Sequence, residues 1–193
     1  MVERVPASLL SALIDLMKWL DATHVPAVII GGVAISILGR PRLTQDVDAL
    51  VTLSETRWAD AVAGAADYAI VPRIEGALEF ATRSRVLLLR HLPSGIDIDV
   101  AVAGLAFEHA AVSRRESLDI GGVRIPLPRV EDLLVMKAIA RRPKDVQDFQ
   151  ALLAAHPEAD VAAVRKWVLE FATAASMPDL LSEFDALVAQ RGP

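Results

Sequence analysis

The spacing of apolar residues divides the chain into a mixed first part and a helical second part. Apolar residues recur every three to four positions over residues 7–22, which predicts an amphipathic helix. Short apolar or alternating segments predict strands over 27–30, 46–53, 69–71, 86–92 and 96–102, and a small hairpin over 118–127. Helical patterns predict a short helix after residue 30 and further helices over 54–66, 105–112, 130–141, 145–155, 161–174 and 178–190. This order predicts an α+β fold, with a mixed sheet and flanking helices over 1–128 and a helical region packed on it over 129–193.

Two of the predicted strands carry aspartates on one face. Asp46 and Asp48 are two residues apart, and Asp97 and Asp99 repeat this spacing within the alternating segment 96–102. Because alternate residues of a strand point to the same side, each pair shares a face. If the two strands are adjacent, three or four carboxylates converge. Such a cluster can hold two Mg²⁺ ions about 3.5–4 Å apart, as two-metal phosphoryl-transfer sites do.

A double glycine lies between the first predicted strand and the short helix. Gly31 and Gly32 would let a phosphate approach the backbone, and the helix N-terminus offers unpaired N–H donors to it. The turn before the acidic strand carries Arg40 and Arg42, and arginine suits phosphate because it donates two parallel hydrogen bonds. The alternative for these arginines is an ion pair with the neighbouring aspartates. Together the segment predicts metal-assisted chemistry on a nucleotide.

These motifs occur in an order that resembles the DNA polymerase β nucleotidyltransferase superfamily. The order is Gly31-Gly32, a short helix, Arg42-x-Thr44, Asp46-x-Asp48 and a lone aspartate on a later strand, within residues 27–102. The helical C-terminal stretch is similar, more loosely, to that of small toxin-type and abortive-infection nucleotidyltransferases. Many members have Gly-Ser at this position. The double glycine of this chain is closer to the tRNA CCA-adding branch.

The resemblance implies roles for particular residues. Three carboxylates would bind two Mg²⁺ ions and carry catalysis, with the last as general base: Asp46, Asp48 and Asp99. Asp97 is left open as a further ligand. The glycines and the basic turn would bind the nucleoside triphosphate (NTP) through Gly31, Gly32, Arg42 and Thr44.

Two charged residues of the helical region are further candidates for nucleotide binding. Lys137 is the single charge in the apolar run 133–140, and a buried lysine needs a partner or a function. It would meet a phosphate or a site carboxylate, or else extend along its stem to solvent. Asp145 lies in the basic-acidic corner 141–148, which similar proteins turn toward the nucleotide. Its alternative is to complement the N-terminus of its own helix.

Composition narrows the choice of function. The 193 residues contain no cysteine, which excludes disulfides and thiolate metal sites and fits a cytoplasmic protein. The net charge of −5 argues against broad electrostatic binding of nucleic acid. The longest apolar run, 25–39, is too short to span a membrane, and charges such as Glu3 and Asp15 argue against a signal peptide.

The sequence therefore predicts a Mg²⁺-dependent nucleotidyltransferase that transfers a nucleoside monophosphate (NMP) from an NTP. The acceptor is left open among a tRNA 3′ end, a protein hydroxyl and a small molecule such as an aminoglycoside. Resemblance to toxin-type members also implies a toxin–antitoxin system with an antitoxin protein as partner. The alternative is a degenerate, non-catalytic module of the same fold that binds a nucleotide or a protein.

Overall fold

The computed structural model describes residues 6–190, so Glu3 of the signal-peptide argument lies outside the described residues. The described strands are β1 (Ala27–Ile30), β2 (Asp46–Val51), β3 (Ile70–Pro72), β4 (Val86–His91), β5 (Asp97–Val102), β6 (Glu116–Ile120) and β7 (Val123–Leu127). The described α-helices are α1 (Ala7–Ala22), α2 (Gly31–Leu38), α3 (Trp58–Ala65), α4 (Ala77–Ser84), α5 (Ala106–Ser113), α6 (Val130–Ala140), α7 (Pro143–Ala155), α8 (Val161–Ala174) and α9 (Asp179–Ala189). Short 3₁₀ turns at Glu55–Arg57 and Ala66–Tyr68 flank α3.

Five of the strands form one mixed sheet in the order β1-β2-β5-β4-β3. The pair β2–β5 is parallel, and the other three neighbouring pairs are antiparallel. Strands β6 and β7 form a separate antiparallel hairpin, which turns at the two glycines between them. The mixed sheet with its helices confirms the predicted α+β class.

The chain forms two compact units. The first consists of the described residues of segments 1–33 and 43–128, and the second of those of segments 34–42 and 129–193. The prediction had placed all of residues 1–128 in one region, whereas segment 34–42 belongs to the unit of the C-terminal helices. The packing of the helical region on the sheet stays a prediction.

Alternation in the strands sets the core of the first unit. On β5 the apolar Ile98, Val100 and Val102 are buried, while the residues between them are partly exposed. Helix α1 buries its apolar stripe, and Trp19 at its end donates a hydrogen bond from Nε1 to the carbonyl of Ala61 at 3.0 Å. Burial of one sheet face fixes the register of each strand, because a slip of one residue would bury the aspartates.

The second unit has its own aromatic and aliphatic core. Phe149 of α7 meets Phe184 of α9 edge to face, with ring centroids 5.8 Å apart. Leu152 of α7 and Val168 of α8 are also fully buried. This core holds α6 and α7, which carry the charged residues singled out from the sequence.

One helix was not predicted. Helix α4 buries only Ala77 and Ala81, and its remaining residues are mostly polar. Two alanines at a helical spacing give no clear apolar stripe, so periodicity does not reveal the element.

None of the helices in the described part of the chain combines the length and apolar character needed to cross a membrane.

Candidate active site

The two acidic strands are adjacent, as the sequence predicted. Strands β2 and β5 run parallel in a register that pairs Asp46 with Asp97 and Asp48 with Asp99. All four residues alternate with buried apolar residues, so their side chains share the other face of the sheet. That face is open: Asp46 is exposed, and the side chains of Asp97 and Asp99 are 36% and 35% accessible. The first unit thus places four carboxylates on one accessible face of the sheet. We name this face, with its four aspartates, the carboxylate surface.

Arginine side chains partly compensate this negative charge. Arg90 of β4 donates from Nε to Oδ1 of Asp97 at 2.7 Å. Arg73, which follows β3, donates to Oδ1 of Asp99 and lies 3.9 Å from Oδ2 of Asp97. The hydrogen bond from Arg90 lowers the pKa of Asp97 below its ordinary value, and the charge of Arg73 adds to this against partial burial.

A glycine makes room for one of the carboxylates. Strand β1 ends at Ile30, which pairs with Asp48 across the sheet, and α2 begins at Gly31 with a φ of +61°. A Cβ at Gly31 would lie 1.8 Å from Oδ2 of Asp48, so this carboxylate rests directly against the glycine backbone. Gly32 follows in the first turn of α2. The predicted strand–glycine–helix junction is confirmed, and it borders the carboxylate surface.

Thr44 contacts the carboxylate surface directly. Its Oγ1 donates to Oδ1 of Asp46 at 2.7 Å, immediately before β2 begins. The hydroxyl therefore orients the first aspartate of the pair. Its predicted contact with a nucleotide is not tested by this geometry.

The carboxylate surface has the chemistry of a magnesium site. Among residues 6–190, no three or more His, Cys, Asp or Glu side chains are placed so that they could hold a metal ion together. The available donors are nevertheless carboxylate oxygens, which Mg²⁺ prefers, and they come from four aspartates on one face. The positive charge beside them comes at present from Arg73 and Arg90. The donor atoms suit the ion by type, although their arrangement in this structure does not yet surround one.

The other three predicted residues lie in the second unit, in one ion-pair cluster whose lysine and carboxylates are buried. Nζ of Lys137 is 2.9 Å from Oδ1 of Asp145 and 2.9 Å from Oδ2 of Asp148. Arg42 donates from Nε and Nη2 to the two oxygens of Asp148 at 3.0 and 3.2 Å. Arg142 forms a similar two-point pair with Asp145, whose side chain is wholly inaccessible. We name this set of five residues the Lys137 cluster.

Hydrogen bonds keep the carboxylate of Asp145 ionised despite its burial. Burial raises the pKa of Asp145, but the hydrogen bonds from Arg142 and Lys137 outweigh it and leave the pKa below its ordinary value. The alternative that Lys137 extends to solvent is wrong, since its side chain is only 7% accessible and its charge meets two carboxylates. The predicted contact with nucleotide stays a prediction.

Sequence reasoning missed Arg73, Arg90 and Asp148. No motif marks Arg73 or Arg90. Both approach the aspartates only because β3, β4 and β5 are neighbours in the sheet, and the sequence does not show that order. Asp148 belongs to the basic-acidic corner 141–148, but its pairing with Lys137 of the preceding helix was not predicted. The spacing of the two aspartates, three residues apart on one helix, was the available signal.

Two solved structures show which fold the chain adopts. The solution structure of the antibiotic-resistance factor ANT(2″)-Ia matches it with a TM-score of 0.59, at 14% identity, over 88% of this chain and 95% of that one. The crystal structure of ANT(2″)-Ia in complex with adenylyl-2″-tobramycin gives a TM-score of 0.55, at 16% identity, over 92% and 97%. An antigenic nucleotidyltransferase-like protein from Paracoccidioides brasiliensis gives 0.45, at 18% identity, over 92% of each chain. At these identities the first two structures establish a nucleotidyltransferase fold and nothing finer.

The sequence itself identifies the family. The profile of the family described as "Nucleotidyltransferase of unknown function (DUF6036)" matches residues 8–183. Since this match covers most of the chain, the protein belongs to that family, and the predicted resemblance to the nucleotidyltransferase superfamily is confirmed. No curated protein sequence matches the chain significantly.

Proposed function

We propose that the protein is an active Mg²⁺-dependent nucleotidyltransferase that transfers an NMP group from an NTP to an acceptor hydroxyl. The observation that carries the proposal is the register of β2 and β5, which sets Asp46 and Asp48 beside Asp97 and Asp99 on an accessible face. A fold that had lost catalysis would have no need to keep these like charges together, because their repulsion costs stability.

Asp46, Asp48 and Asp99 are the proposed metal ligands. Bound Mg²⁺ would offset the charge of the phosphates and stabilise the departing pyrophosphate. Gly31 and Gly32 support phosphate binding because they bring an accessible backbone to the edge of the carboxylate surface. Thr44 supports the site by holding the carboxylate of Asp46 in one orientation.

Asp99 is the proposed general base. In the transfer, the acceptor oxygen attacks the α-phosphorus of the NTP and its proton passes to the Asp99 carboxylate. The bond from the α-phosphorus to the bridging oxygen breaks, and pyrophosphate leaves with that electron pair. Asp99 is partly accessible, as a group that accepts a proton from an external acceptor must be.

The Lys137 cluster is proposed to act indirectly. Lys137 and Asp145 are buried, so neither presents its charge to a ligand in this arrangement. The carboxylates of the cluster instead position arginines. Asp145 orients the guanidinium group of Arg142, and Asp148 orients that of Arg42, by two hydrogen bonds each. Binding of the nucleotide by Arg42 remains part of the proposal.

We propose three candidate classes of acceptor, and each can be tested by its own assay. Candidates are a tRNA 3′ end, a protein hydroxyl and an aminoglycoside, the last being the class present in the ANT(2″)-Ia complex. A toxin role with an antitoxin partner would follow only from modification of a tRNA or another essential cellular component.

The test measures NTP binding and pyrophosphate release in the presence of Mg²⁺. Radiolabelled NTPs are offered with total tRNA, cell lysate and an aminoglycoside panel to wild type, Asp48→Asn and the exposed-site control Asp67→Asn. We expect label transfer and pyrophosphate release in wild type and the control, with a loss of about a hundredfold or more in Asp48→Asn. NTP binding without pyrophosphate release under every condition would favour the non-catalytic module.

A further inference from the structure

Arg73 is held firmly beside the carboxylate surface by the sheet itself. It follows β3, and its N–H donates to the carbonyl of Leu88 on β4 at 3.0 Å. Its guanidinium donates from Nη1 to the carbonyl of Leu89 at 3.2 Å and reaches beyond β4 to Asp99 on β5. The side chain is only 20% accessible. Hydrogen bonds to the backbone of β4 thus hold the guanidinium group of Arg73 beside Asp99.

The second arginine of the surface provides a contrast. Arg90 projects from β4, is 49% accessible and is bonded to Asp97 at 2.7 Å. Its exposed position means that water screens the interaction. Arg73 is more buried, has a carbonyl partner besides the acid, and contacts the aspartate that pairs directly with Asp48. Of the two arginines, Arg73 is the one whose charge is directed at a proposed metal ligand.

We propose that Arg73 is an internal counter-cation that occupies Asp99 in the metal-free protein and competes with Mg²⁺ for it. This inference rests on the proposed function, since it takes the carboxylate surface to be a metal site. The Asp99 oxygen that accepts the Arg73 hydrogen bond cannot direct the same lone pair to a metal ion. The guanidinium charge also repels a divalent cation placed at the same carboxylate. Mg²⁺ that binds through this oxygen therefore competes with Arg73, and the ion pair lowers the metal affinity of Asp99.

Competition predicts opposite effects with and without metal. In EDTA, Arg73→Gln leaves Asp99 without its compensating charge, so this variant melts below wild type. With Mg²⁺ the ion no longer has to displace an arginine. We expect about three- to tenfold tighter Mg²⁺ binding than in wild type and a larger metal-dependent rise in Tm.

The experiment uses Mg²⁺ alone, without NTP, so that a contact of the released arginine with phosphate does not enter the result. Calorimetric titration and melting are carried out on wild type, Arg73→Gln and the control Arg90→Gln. Arg73→Lys is added because it keeps the charge but loses the planar guanidinium that donates to both the Leu89 carbonyl and Asp99, and it should bind Mg²⁺ with intermediate affinity. Affinity in Arg73→Gln no tighter than in Arg90→Gln would overturn the inference.

Further arms separate this inference from the proposed function. The Asp48→Asn substitution removes a proposed ligand. If Asp48→Asn alone and Asp48→Asn combined with Arg73→Gln both keep the full metal response, the ion binds elsewhere and both proposals fail. If the response is lost in Asp48→Asn while Arg73→Gln binds no tighter, only the inference about Arg73 fails. A double-mutant cycle of Arg73→Gln with Asp99→Asn in EDTA adds a metal-free measurement. Strictly additive effects on Tm would show that the ion pair does not stabilise the protein and would overturn the inference.

Discussion

At the scale of single residues, close approach explains why a glycine stands next to Asp48. Gly31 has a φ of +61°, and any Cβ there would overlap the Asp48 carboxylate. Gly95 has a similar φ of +69°, yet a Cβ on it would meet nothing within 4 Å. The two glycines therefore separate the cost of backbone conformation from the cost of displacing a carboxylate.

A prediction at this scale compares the substitution of each of the two glycines by alanine. We expect Gly95→Ala to lose about 1–2 kcal/mol of unfolding free energy, the cost of a left-handed backbone conformation. Gly31→Ala should lose more, and should also weaken binding of Mg²⁺–NTP because Asp48 must move away from the junction. Denaturant unfolding and calorimetry measure both quantities. Equal losses in the two variants would mean that Asp48 does not rest against Gly31 in solution.

At the scale of elements, the sequence predicted the strands better than the contacts between them. Alternation along 96–102 placed Asp97 and Asp99 on one face, and the same rule held for Asp46 and Asp48. Strand adjacency was an assumption, since nothing local states which strands pair. The contacts of Arg73 with Asp99 and of Asp148 with Lys137 join different elements, and no local pattern predicts which elements meet. The roles assigned to the site residues stay predictions.

The helical elements carry a second prediction, on the Lys137 cluster. Replacing Lys137 by methionine leaves two buried carboxylates without their shared cation, so we expect a loss of about 3–5 kcal/mol in unfolding free energy. Arg165→Met breaks the two-point ion pair of Arg165 with Asp185 on α8 and α9, where both side chains are 46% accessible. That control should change stability little, because water screens exposed pairs. Urea unfolding of the two variants makes the comparison.

The loss in Lys137→Met should depend on its buried partners. In an Asp145→Asn background one of the two carboxylates is neutral, so the additional cost of removing the lysine charge should be smaller. A cost that is unchanged in this background would mean that Lys137 is important for its packing alone.

At the scale of the whole molecule, several carboxylates are held ionised by the folded state. The pKa is lowered in Asp15, chiefly by the hydrogen bond from Lys18, and in Asp97 by that from Arg90. It is lowered in Asp185 by the hydrogen bond from Arg165. In Asp145 the hydrogen bonds overcome burial with the same result. Because an unfolded aspartate titrates at about 3.9, the unfolded chain binds more protons than the folded protein below about pH 5.

Acid should therefore destabilise the protein, and Asp145 allows the effect to be assigned. A group whose pKa is lower in the folded state gives its full stabilisation above the unfolded value of about 3.9, and loses it as the pH falls through the folded value. We expect the urea midpoint of wild type to fall as the pH decreases from 6 to 2.5. Asp145→Asn should be less stable than wild type at pH 6, with a difference that shrinks below about pH 4 as wild-type Asp145 takes up its proton. In the control Asp185→Asn the difference should be small throughout, because that carboxylate is exposed. A difference between wild type and Asp145→Asn that stayed constant from pH 6 to 2.5 would mean that folding does not change the proton affinity of Asp145.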